Sequence, residues 1–84
     1  MSSSTDWIDV KYGEVFEQEL RGLERRRQSD PGCTVQDIEG VLEQLYLMDG
    51  SDWLGRGQLQ DIIMAATIAA YENFIHQWKL ERGN

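Results

Sequence analysis

Between Leu59 and Leu80 the chain reads LQDIIMAATIAAYENFIHQWKL, an apolar segment with a narrow polar stripe. At the helical period, Asp61, Ala65, Glu72, His76 and Lys79 fall within a sector of about 60°. Leu59, Ile62, Ile63, Ala66, Ala69, Ala70, Phe74 and Trp78 cover the opposite side. A helix apolar around most of its circumference needs cover on more than one side, from its own chain or from a partner.

Two further helical patterns precede it. In the first, Ile8, Tyr12, Val15, Phe16, Leu20 and Leu23 recur at helical spacing behind cap-forming Ser4, Thr5 and Asp6. Gly13 and Gly22 weaken this helix, so a start nearer Tyr12 competes with one at Asp6. Its acids come early and Arg25, Arg26 and Arg27 come last, the order that complements the helix dipole. Glu17 and Arg21 are spaced for an i,i+4 pair, and Ser29-Asp30-Pro31-Gly32 marks a turn.

In the second, Thr34 and Asp37 form an acidic variant of the capping box and Gly50 supplies the stop. Val35, Ile38, Val41, Leu42, Leu45 and Met48 make its inner stripe, with Gln36, Glu39, Glu43 and Gln44 outward.

The expected architecture is all-α: a small three-helix bundle, helices over about 6–28, 34–49 and 57–81, with the long apolar C-terminal helix as the central element. Residues 1–5 are expected to be a flexible tail and 6–84 a single helical domain. An 84-residue chain with 40% hydrophobic and 27% charged residues has the composition of one globular domain. Its longest apolar run, Ile62 to Tyr71, is about half a bilayer span. The N-terminus MSSSTDWIDV carries no secretion pattern, so the expected location is the cytoplasm. Cys33 has no second cysteine to pair with and reads as a small residue in a turn.

Charge narrows the function. The net charge is −7, and six acids with no Lys or Arg lie between Gln28 and Gly55. That segment cannot neutralise phosphates, which argues against direct nucleic-acid contact. Catalytic patterns are also weak. Asp49, Ser51 and Asp52 depart from a calcium loop at Trp53, Leu54 and Gln60. Gly55-Arg56-Gly57 lacks the GK[ST] ending of a phosphate-binding loop. Glu14 and Glu17 have no second acidic pair on an unbroken helix to share a magnesium ion, and Glu72 with the lone His76 reads as a surface ion pair. No cofactor, metal or catalytic residue is expected.

The sequence therefore reads as a small acidic protein–protein interaction module, an adaptor or inhibitor without catalysis. Its expected partner surface comprises Asp37, Glu39, Glu43, Asp49, Asp52, Trp53, Arg56 and Trp78. Trp and Arg dominate binding energies, and an acidic face suits a partner with a basic surface. Asn73 and Gln77 interrupt the apolar face of the last helix, which would leave Phe74, Trp78 and Leu80 partly available; the competing expectation has the first helix and Trp7 cover them. The apolar third helix also offers a homodimer interface. Two alternatives are an acidic nucleic-acid mimic that blocks a nucleic-acid-binding protein, and a magnesium-dependent nucleotide phosphohydrolase built on Glu14 and Glu17.

Overall fold

The computed structural model describes residues 6–50 and 57–81. The expected tail 1–5, together with Asp52, Trp53 and Arg56, lies outside the described residues. Three α-helices make up the fold: α1 (Asp6–Ser29), α2 (Val35–Gly50) and α3 (Gln58–Glu81). The expected boundaries hold to within about one residue, and α1 starts at Asp6 despite its two glycines.

The α1–α2 connection is built from short-range hydrogen bonds. Asp30 N–H donates to Arg26 carbonyl at 2.9 Å, extending α1 by one bond, and Cys33 N–H donates to Asp30 carbonyl at 3.0 Å, closing a turn with Pro31 at its second position. The Asp30 side chain accepts from Gly32 N–H at 3.0 Å, an Asx turn inside it. The capping box then starts α2: Asp37 N–H donates to Thr34 Oγ1 at 3.2 Å, and Thr34 N–H donates to Asp37 Oδ2 at 3.0 Å.

Helix directions follow from two sets of contacts. Arg27 at the end of α1 meets Trp78 and Glu81 at the end of α3, so these helices run parallel. On α2, Glu39 meets Lys79 and Tyr46 meets Glu72, so α2 runs antiparallel to α3. α3 packs against both other helices, whereas α1 and α2 do not approach each other backbone to backbone. α3 is the central element.

The core joins Leu23 of α1, Cys33 of the turn, Val35, Ile38 and Leu42 of α2, and Phe74 and Ile75 of α3. Ile38 is completely buried. Cys33 serves here as a small buried apolar group. Farther along α3, Ala66 and Ala70 are fully buried a turn apart, where small side chains let a neighbouring helix come close. Thr67 hides its hydroxyl by donating to the Ile63 carbonyl at 2.7 Å. The polar stripe of α3 faces water as expected, with Asp61, Ala65, Glu72, His76 and Lys79 all exposed.

Three positions expected on inner apolar faces are exposed instead: Tyr12, Met48 and, in the first turn of α3, Leu59. The reason is length. α2 has 16 residues against 24 in each of α1 and α3, so it falls about 12 Å short of covering them. Met48 lies in its last turns, and Tyr12 lies on the half of α1 beyond its reach.

Two substitutions test this account by chemical denaturation. Thr34→Ala removes one arm of the capping box and should cost about 1 kcal/mol, while Ile38→Ala opens the best-buried site and should cost about 2–5 kcal/mol. Gly22→Ala should act oppositely, raising stability by about 0.5–1 kcal/mol, because nothing lies within 4 Å of the added methyl group. A neutral Ile38→Ala would contradict the core assigned here.

Candidate functional site

Several residues expected to meet a partner are already engaged within the fold. Glu39 accepts an ion pair from Lys79 at 2.8 Å, and Asp37 is committed to the capping box. Glu43 is exposed and makes no ion pair. Asp49 is exposed near the end of α2.

Trp78 is half-buried and sandwiched. Its ring meets Phe74 edge-on with centroids 5.6 Å apart, and the Arg27 guanidinium lies 4.2 Å from the ring centroid. Arg27 also pairs with Glu81 at 3.0 Å. Phe74 is buried, so the aromatic end of α3 expected to be available is largely closed by α1; only Leu80 stays well exposed. Trp7, the other expected cover, is exposed at the far end of the bundle and takes no part.

Two expected ion pairs give way to other contacts. Glu72 accepts the Tyr46 hydroxyl rather than pairing with His76, because α2 brings Tyr46 alongside it. Glu17 and Arg21 do not pair, and α1 carries Lys11–Glu14 at 3.9 Å instead. The arginine cluster expected to complement the dipole is partly committed elsewhere, Arg27 lying across the α1–α3 seam.

The exposed large apolar residues are distributed unevenly. Seven of the eight among the described residues, Trp7, Val10, Tyr12, Tyr46, Leu47, Met48 and Leu59, lie in the first turns of α1 and α3 or the last turns of α2. The first turns of α1 and α3 lie at the end of the bundle opposite the Asp30–Cys33 turn, and the last turns of α2 point the same way but stop short of it, where Tyr46 meets Glu72 about midway along α3. Scattered exposed apolar side chains are ordinary, whereas a concentration marks a contact surface. Val10 is 61% exposed and Leu47 69%. The sequence signal for them was available: Val10 breaks the polar face of α1, and Tyr46 and Leu47 sit off the inner stripe of α2. On the halves of α1 and α3 that extend past α2, Lys11 is the only cation among the described residues, amid Asp9, Glu14, Glu17 and Asp61.

Two grooves accompany these surfaces. One, of about 400 Å³, runs between α1 and α3 near their C-termini, floored by Leu20, Phe74 and Trp78 and edged by Glu24, Asn73 and Gln77. The other, of about 540 Å³, is shallow and wide open, lined among the described residues by α1 alone, through Asp9, Val10, Tyr12, Gly13, Glu14, Phe16 and Glu17. No group of three or more His, Cys, Asp or Glu among the described residues is arranged to hold a metal ion. No described helix is long and apolar enough to cross a membrane. The chain matches no protein-family model, no curated protein and no solved structure.

Hydrogen bonding to Glu72 raises the pKa of the Tyr46 hydroxyl above the ordinary tyrosine value, with desolvation adding to it. Burial foremost, then the Glu19 charge, raises Tyr71, with Arg26 opposing. The folded chain therefore holds protons that the unfolded chain releases. The resulting stabilisation is intact below about pH 10 and is lost as pH rises through the raised values. Urea midpoints should fall from pH 9 to pH 11, and Tyr46→Phe should make the fall shallower. An equal fall in both proteins would remove Tyr46 as a contributor.

Proposed function

We propose that this protein is a non-catalytic protein–protein interaction module, an adaptor or inhibitor, whose contact surface is the end of the bundle opposite the Asp30–Cys33 turn. The observation that carries this reading is the exposure of Trp7, Val10 and Tyr12 in the first turns of α1, of Leu59 in the first turn of α3 and of Leu47 and Met48 in the last turns of α2, all on the side of the bundle away from that turn. Large aromatic and aliphatic side chains left in water together are the features that anchor protein interfaces.

The acids around them favour a partner with a basic surface and a salt-dependent approach. Glu43 extends this acidity along the outer side of α2. What α3 leaves exposed is mainly polar apart from Leu59, Ala65 and Leu80. The interface is therefore assigned to α1, the last turns of α2 and the start of α3, rather than to the long apolar face of α3.

Site-specific photo-crosslinking in the native host tests the assignment. A photoreactive residue at Leu47 or Leu59 should give a discrete adduct with another protein, weakened when cells are lysed in high salt before irradiation. The same residue at Gln36, exposed near the turn end of α2, should give none. Adducts of equal yield from all three positions, or from none, would sink the proposal.

A further inference from the structure

We infer that the groove along the outer side of α1 is a seat for a basic amphipathic helix of the partner, an inference that rests on the interaction-module reading and specifies its chemistry. Its apolar lining is Val10 on one flank of Gly13 and Tyr12 and Phe16, one turn apart, on the other, so a second helix laid along Gly13 has apolar contacts on both sides. Gly13 lies among them, and a methyl group added there would meet nothing within 4 Å. A glycine at that point lets another backbone approach closely without displacing any side chain of this protein.

Charge selects the occupant. Asp9 and Glu17 stand one turn before and one turn after Gly13, line the same groove, and make no ion pair among the described residues. Lysines or arginines flanking the apolar stripe of an incoming helix would meet both carboxylates. A second copy of α1 laid across Gly13 in either direction would set Asp9 and Glu17 against acids of the same helix. The groove thus favours a cationic helix over self-association.

The test uses the full chain and two fluorescein-labelled amphipathic peptides of about 18 residues, roughly five turns, one built from Leu and Lys and the other from Leu and Glu. Binding is read by anisotropy, and the contact surface by amide chemical-shift mapping. The Leu/Lys peptide should bind, shift the amides of Asp9–Glu17, and weaken between about 50 mM and 500 mM salt; the Leu/Glu peptide should not bind. Gly13→Arg fills the groove, places a cation one turn from both carboxylates, and substitutes a stronger helix former for glycine, so the fold is retained. It should weaken the Leu/Lys peptide by about tenfold, and Asp9→Asn/Glu17→Gln should flatten the salt dependence.

Shifts confined to Tyr46–Met48 and Leu59, or affinity untouched by Gly13→Arg, would overturn the groove assignment while leaving the interaction reading in place. So would a sedimenting dimer of the chain that the peptide fails to disrupt and Gly13→Arg abolishes, since a second copy would then be the occupant. Failure of the interaction reading itself would show instead as the absence of selective crosslinks from Leu47 and Leu59.

Discussion

Everything in this fold depends on α3 having apolar surface on two sides. It is the only described helix that packs against both others, and neither α1 nor α2 makes a substitute backbone contact with the other. α1, equal to it in length, makes the more extensive contact. α2, with fewer residues to contribute, fastens only to the C-terminal part. Its helix is correspondingly well specified locally, with a reciprocal capping box at one end and Val35, Ile38 and Leu42 buried in its first two turns.

The mismatch in length turns a packing rule into a surface. Had α2 matched α3, Met48 and Leu47 would have been followed by further turns, and more of the apolar surface at that end could have been covered. Because it stops, Tyr46, Leu47 and Met48 at its end, and Trp7, Val10, Tyr12 and Leu59 in the first turns of α1 and α3 that it does not reach, are left in water. A chain of this size always leaves some apolar area in water, so exposure alone carries little meaning. Its distribution is uneven: seven of the eight exposed large apolar residues among the described residues lie away from the well-packed turn end.

The helix limits, the capping box and the polar stripe of α3 were legible because each rests on spacings of a few residues. The same locality explains what the sequence did not show. Whether Glu39 is free depends on whether α2 brings it to Lys79, forty positions away, and that is decided by how two helices are staggered. The same stagger gives Glu72 to Tyr46 instead of to His76, and the parallel pairing of α1 with α3 places Arg27 over Trp78. Local rules identified which side chains face outward on α2 but not which of them find partners across a seam.

Helix dipoles account for part of the charge segregation and leave part unexplained. With α1 and α3 parallel, two negative C-termini lie together, and Arg26, Arg27 and Lys79 stand in those last turns. At the opposite end two positive N-termini lie together, and Asp61 stands in the first turn of α3. That arrangement stabilises the fold and needs no partner. The dipole's influence, however, fades within the first turn of a helix, and Glu17 lies about three turns into α1. Glu17 has no ion pair among the described residues and lines the groove beside Gly13 and Phe16. Neither capping, dipole compensation nor an internal pair accounts for a carboxylate at that position, which leaves its place beside the groove as its distinguishing feature.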